Sequence, residues 1–332
     1  MPPFDVGDWI VLRPLLPVGL PFVDSCKWPP DPAPLFVLIL ASPQPHKLEI
    51  LRQNIMKVPE YAACTVIFHE NPMRTTYFGG RDASLLQILT RCKSACVLQD
   101  ASWTEALQRA APFALIQTSF PDGIFILNDD VQLNFRIDAF VAKAHHFSLD
   151  AGSPMILNSH GVMRPRRMQN MTLQPTLPHG VGWHRSNESS AATKVLDHNK
   201  TRATHQIRDS ERPGLRLVSV IEPSAQWFSQ KAWKCYWDLL DPLVNGGGYG
   251  LEYWMRDWCH RRLGRAPRIA LLEEFTLTSA PNDNQSLQSL VPSRGFVGRS
   301  GGRAGAWARA WQMHAQEDAW KARGVTLTSS WS

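Results

Sequence analysis

The residues best equipped for chemistry are the neighbouring carboxylates of Asn128-Asp129-Asp130, which follow the apolar run Gly123-Ile124-Phe125-Ile126-Leu127. Two adjacent carboxylates at a strand end can hold a hard divalent cation such as Mg2+ or Mn2+, whose remaining positions go to phosphate oxygens. A cation held in this way neutralises a diphosphate leaving group. The same residue types also build ordinary strand-to-loop turns, because Asn and Asp side chains bond their own backbone. Spacing alone does not separate the two readings.

Other polar clusters are less specific. Arg164, Arg166 and Arg167, and in the tail Arg294, Arg299 and Arg303, can hold phosphate or simply form solvated faces. The formal net charge of +6 suits an anionic partner without selecting one. No nucleic-acid module or aromatic-interleaved basic patch is present, so no nucleic-acid partner is expected. No stretch approaches the roughly 18 apolar residues of a membrane span. The start, Met1-Pro2-Pro3-Phe4-Asp5, lacks a basic segment followed by an apolar one. The expectation is an intracellular chain, or one whose targeting segment for the secretory pathway lies upstream.

The six cysteines (Cys26, Cys64, Cys92, Cys96, Cys235, Cys259) are too scattered to predict a disulfide scaffold, and no CxxC pair suggests zinc or redox chemistry. Asn-x-Ser/Thr triplets begin at Asn170, Asn187, Asn199 and Asn284, a pattern that fits a secretory protein and also arises by chance.

The elements that must position the acids alternate between strand and helix. After a proline-rich arm over residues 1–34, Leu35 to Leu40 is an unbroken apolar run, predicting a strand buried on both faces. Helical spacing follows over Lys47 to Val58, then an apolar run from Cys64 to His69, then an amphipathic stretch around Ser102 to Ala111. Strand, helix, strand, helix is a doubly wound α/β pattern, in which ligands bind beyond the carboxyl ends of the strands. Residues 160–216 read as a polar insertion. A strand is expected at Leu217 to Glu222, helices at Ser229 to Leu240 and Leu251 to Arg262, a glycine-rich loop at Asn245 to Gly250, and a last strand at Ile269 to Leu272. Residues 281–332 form a basic tail in which Trp307, Trp311 and Trp320 can share a helix face. The domain expected is thus residues 35–280.

Three segments, in order, carry a family resemblance. Asp122 to Val131 resembles the strand and "DED"-type tip of the plant-type domain-of-unknown-function 707 family. Ile221-Glu222-Pro223-Ser224-Ala225-Gln226-Trp227-Phe228-Ser229, with Ala232-Trp233-Lys234-Cys235, resembles its "VE..AP.FSR.AWRC" segment. Tyr249-Gly250-Leu251-Glu252, followed by Cys259, resembles its "WGLD…C" segment. Members resemble glycosyltransferases of the A type (GT-A), which implies one α/β domain with a mixed, mostly parallel sheet flanked by helices. The resemblance further implies a nucleotide-sugar donor, a glycan or other hydroxyl acceptor, and a Mn2+ or Mg2+ ion. Some members are labelled as related to a lysine-ketoglutarate reductase, but no Gly-x-Gly-x-x-Gly follows a strand here.

Carried over residue by residue, Asp130 matches the last acid of the tip, with Asp129 beside it, as ligands of metal and diphosphate. Asn128 stands where the family has an acid, which removes a negative charge. Glu252 matches the acid of "WGLD", from which a carboxylate can take the acceptor's proton as general base. An acid in the first turn of a helix is also favoured by the macrodipole alone. Glu222 can bind a sugar hydroxyl or be an ordinary strand-end residue. Among the tryptophans, most serve a core, while Trp227, like Tyr249, lies beside the candidate acids and can stack on a sugar. Glu273 to Thr278 resembles "DSEYVVH", with Thr278 replacing the closing His, a common metal ligand. Cys235 and Cys259 can pair in an oxidising compartment. These departures leave open a non-catalytic binding protein of the same fold.

Overall fold

The computed structural model describes residues 33–42, 44–68, 91, 92, 94–97, 102–111, 116, 119–157, 214–218, 221, 223–245, 248, 251–279, 315, 318, 319 and 322. The arm before residue 33, most of the insertion, the four Asn-x-Ser/Thr triplets and nearly all of the tail lie outside them. In chain order the elements are β1 (Phe36–Ala41), α1 (Pro45–Ile55), β2 (Ala63–Phe68), β3 (Ser94–Val97), α2 (Trp103–Ala110), β4 (Ile124–Asn128) and β5 (Val131–Leu133). They continue with α3 (Ile137–His146), β6 (Ala151–Leu157), β7 (Leu215–Leu217), β8 (Ala225–Phe228), α4 (Gln230–Trp237), α5 (Leu251–Leu263) and β9 (Ile269–Ser279).

The strands form one mixed sheet in the order β3-β2-β1-β4-β8-β6-β9-β5, with β7 also paired to β9. β1, β2, β3, β4, β6 and β9 run one way, while β5, β7 and β8 run against them. This is the α/β fold with a mixed, mostly parallel sheet that the sequence leads one to expect. β1, β2 and β4 are apolar apart from Thr65 in β2 and Asn128 at the end of β4, as suits strands with helices over both faces, and every residue in them is buried. Val37, Ile39, Phe125 and Leu127 pack with Leu48 and Leu51 of α1 and with Phe140 and Val141 of α3. The alternate residues Phe36, Leu38, Ile124 and Ile126 pack with Leu107 of α2, Trp233 of α4 and Trp254 of α5.

Several elements depart from expectation. Of the run from Leu217 to Glu222, Leu217 ends β7 and Val218 adds one backbone bond to Ile269, while Ser219, Val220 and Glu222 lie outside the described residues; the strand beside β4 is β8. That strand escaped notice because it carries Gln226, which is fully buried and donates to the Ile221 carbonyl. β6 reads like a turn, with Gly152, Ser153 and Pro154, yet it is buried along its length up to Leu157. Pro154 is tolerated at a register shift, where its partner in β9 jumps from Leu272 to Thr276. β9 is accordingly longer than the expected four-residue run. In the displaced stretch Glu273 pairs with Arg216 and Glu274 with Lys143, while Phe275 packs on Phe135 and Phe140.

The cysteines also correct the sequence reading. Cys64 is bonded to Cys92, and Cys235 to Cys259, the latter a pairing expected only for an oxidising compartment; it ties α4 to α5. Among the described residues no cysteine is free. Among the described residues no helix is long and apolar enough to cross a membrane.

Gly123 fixes the entry to β4. Its φ is +87°, and a Cβ there would lie 2.1 Å from the carbonyl oxygen of Phe228. Gly123→Ala should therefore lose about 2 kcal/mol or more, from left-handed strain plus the forced shift of β8. A guanidinium unfolding midpoint equal to that of the native chain would contradict this account of the β4–β8 junction.

Candidate functional site

The sheet has a topological switch point between β1 and β4. From β1 the chain moves outward through α1 to β2 and β3, then returns on the other side of β1 as β4. Crevices for ligands open beyond the carboxyl ends of strands at such points. The parallel register sets Leu40 opposite Asn128, so Ser42 and the acids after β4 face one another across this crevice.

Asp129 bridges it. One carboxylate oxygen accepts from the Ser42 backbone N–H, and the other is 3.4 Å from the Lys47 ammonium. Lys47 is the third residue of α1, and its side chain is 3 % exposed against 10 % for that of Asp129. A cation in the first turn of a helix faces the positive end of the macrodipole, and burial adds the cost of desolvation. Nothing in α1 itself repays this, since its first turn holds no acid and Gln44 gives no side-chain cap. The compensation comes from Asp129. In the sequence Lys47 marks only the start of a helix; a lysine in the first turn after the first strand is the one signal of its role.

Asn128 is held on the opposite face of the sheet. Its amide oxygen lies 3.4 Å from the donating Trp103 Nε1, its amide nitrogen donates to the Pro223 carbonyl at 3.3 Å, and its backbone N–H donates to the Ser224 carbonyl. Trp103 is placed by a capping box, in which the Ser102 side chain accepts from the Glu105 N–H and the Glu105 carboxylate accepts from the Ser102 N–H. Gly248, at φ +67°, packs on the Trp103 ring so tightly that a Cβ would lie 2.5 Å from it. Through this contact the approach to α5 rests on the Asn128 side of the crevice. Two hydroxyls flanking the tip, Ser42 Oγ and Ser224 Oγ, are buried without a hydrogen-bond partner.

The structure gathers some of the anticipated site residues and separates others. Asp129 and Asp130 are together at the switch point, both 7 % exposed. Glu252 lies in the first turn of α5, whose start is brought to the Trp103 side by Gly248. Glu222 and Tyr249 lie outside the described residues. Trp227 does not reach the tip: it is fully buried, its Nε1 donates to the Asp122 carbonyl, and its ring meets His145 edge-on near the opposite end of β4. It belongs to the core.

Of the positions implied as ligands of Mn2+ or Mg2+, Asp129, Asn128 and Thr278 have partners within the chain. Both oxygens of Asp129 have partners, the Asn128 oxygen accepts from Trp103, and Thr278 Oγ1 accepts from Asn134 Nδ2 at 3.1 Å. Among the described residues no three His, Cys, Asp or Glu side chains converge in a way that could hold a metal.

No family model matches the chain, and no curated protein matches it, so the family resemblance rests on its motif segments. The chain is similar in fold to a structure from Bacillus anthracis assigned as a glucose-1-phosphate thymidylyltransferase in complex with sucrose. The identity there is 11 %, the TM-score 0.39, and the match covers 80 % of this chain and 98 % of that one. It is similar also to a UDP-glucose pyrophosphorylase complexed with UDP-glucose, at 8 % identity and TM-score 0.37, over 87 % of this chain and 99 % of that one. The apo form of a UDP-glucose pyrophosphorylase gives 9 % identity and TM-score 0.37, over 87 % and 98 %. Likeness at this level says nothing about substrate or mechanism.

Restoring the family's acid with Asn128→Asp should destabilise the chain. The introduced carboxylate would face the Pro223 carbonyl, now satisfied by the Asn128 amide, at a cost of about 1–3 kcal/mol. Burial raises the pKa of such a group, so the loss should be greatest above that pKa and fade as pH falls through it. Denaturant titrations at several pH values measure this, and a pH-independent difference from the native chain would contradict it.

Proposed function

We propose that the crevice between β1 and β4 binds the donor of a sugar-transfer reaction, a nucleotide diphospho-sugar, and that the chain passes the sugar to a hydroxyl acceptor. One observation carries this: the buried acids of the tip lie at the sheet's topological switch point, where α/β sheets bind ligands. The motif resemblance supplies the ligand class. In this reading Asp130 accepts hydrogen bonds from ribose or sugar hydroxyls, because a carboxylate next to phosphate repels it unless a cation intervenes. The positive end of the α5 dipole favours the diphosphate. Glu252, in that first turn, takes the proton of the acceptor hydroxyl.

A non-catalytic binding protein of the same fold is the second reading. It is favoured by the engagement of Asp129, Asn128 and Thr278 within the chain.

Calorimetry with UDP tests the first step. Asp130→Ala should weaken binding by about tenfold or more, the worth of a hydrogen bond to a charged group. Glu252→Gln should keep UDP affinity while lowering release or transfer of sugar from a UDP-sugar by about a hundredfold or more. Absence of heat with native protein would sink the donor site, and binding without any turnover of UDP-sugars would establish the second reading.

A further inference from the structure

The acids at the switch point raise the question of which cation balances them, and the chain itself contains an answer. Lys47 occupies a position that is unfavourable on every local ground: it is 2 % exposed, near the positive end of α1, in a first turn where an acid would be stabilising. Its ammonium is nonetheless held 3.4 Å from Asp129 Oδ1. The second oxygen of Asp129 is spent on the Ser42 N–H. The carboxylate that would face a divalent ion therefore already has a full unit of opposite charge beside it and a backbone donor on its other side.

The remaining groups point the same way. A hard cation needs several oxygen ligands with lone pairs directed at one point. The Asn128 oxygen is turned to Trp103, and Thr278 Oγ1 lies against Asn134 at the β5–β9 pairing. With Asp129 balanced by Lys47, the tip offers a hard cation less negative charge than its two carboxylates alone would.

We propose that Lys47 is a built-in counter-ion that takes the place of a divalent metal at this crevice, so that the chain binds its ligand without a metal of its own. The part concerning the ligand rests on the donor-site reading above; the part concerning Lys47 and Asp129 does not. Removing the ammonium while keeping an apolar side chain, as in Lys47→Met, withdraws the positive charge from Asp129 and returns a net negative charge to the tip. A cation site should then appear where the native chain has none.

Two measurements on the full-length protein test this. In the first, Mn2+ alone is titrated and the free ion is followed by electron paramagnetic resonance. The native chain should leave the signal undiminished, Lys47→Met should take up one equivalent, and Lys47→Met combined with Asp129→Asn should lose it again. Uptake by the native chain that disappears in Asp129→Asn overturns the proposal, as does a folded Lys47→Met chain, checked by circular dichroism, that gains no site. In the second measurement UDP is titrated into the native chain in EDTA and in Mn2+. Equal affinity supports the proposal, and a stimulation by Mn2+ of about tenfold or more, roughly 1.4 kcal/mol, overturns it even if Lys47→Met fails to fold. Absence of UDP binding in both media counts against the donor site, and the Mn2+ titration then decides the role of Lys47 by itself.

Discussion

Asp129 holds the switch point together. Two parallel strands that leave in opposite directions have nothing in their own hydrogen-bond ladder to fix the chain just beyond their ends. Here one carboxylate after β4 takes the N–H that follows β1 and the ammonium that begins α1. Strand ends, helix start and turn are thereby referred to one another by a single side chain. Removing either partner of such a buried pair leaves an uncompensated charge, which costs about 3–5 kcal/mol and exceeds most single packing contacts. The position of α1, and through Leu48 and Leu51 its grip on the sheet, follows from this arrangement.

The two faces of the sheet serve the crevice differently. On the α1 side the tip is ionic, with Lys47 against Asp129. On the α2 and α5 side it is neutral, with the Asn128 amide, the Trp103 indole and the buried hydroxyls of Ser42 and Ser224. That division follows from the alternation of a strand: Asn128 and Asp129 are neighbours in sequence and so project to opposite faces.

Much of this was legible in the sequence. The apolar runs of β1, β2 and β4 have a composition that can be buried on both faces, and Ser102 with Glu105 announces the start of α2. The location of the acids beyond β4 follows from those runs. Local pattern failed where tertiary context pays for an unfavourable residue. Gln226 makes β8 look unlike a strand until its amide is seen bonded to Ile221, and Gly152, Ser153 and Pro154 make β6 look like a turn until the register shift accommodates the proline. Lys47 is the same kind of case: its purpose is set by Asp129, 82 residues away, and no window around α1 contains that information. Trp227 erred in the other direction, since nearness to the acids in a motif does not mean nearness in a strand that runs antiparallel to β4.

Among the described residues, Cys64–Cys92 and Cys235–Cys259 lie on different sides of the sheet, which the strand order conceals. Cys64–Cys92 lies within the packing layer of α1 and α3, and Cys235–Cys259 within that of α4 and α5. The first ties β2 to the chain just before β3 and the second ties α4 to α5, so these cross-links shorten separate loops of the unfolded chain. Cystines of this kind persist where the surroundings are oxidising, and a reducing cell interior removes them. The thiol–disulfide poise of the place where this chain folds is thus a condition of its stability as real as temperature, acting on each side of the sheet independently.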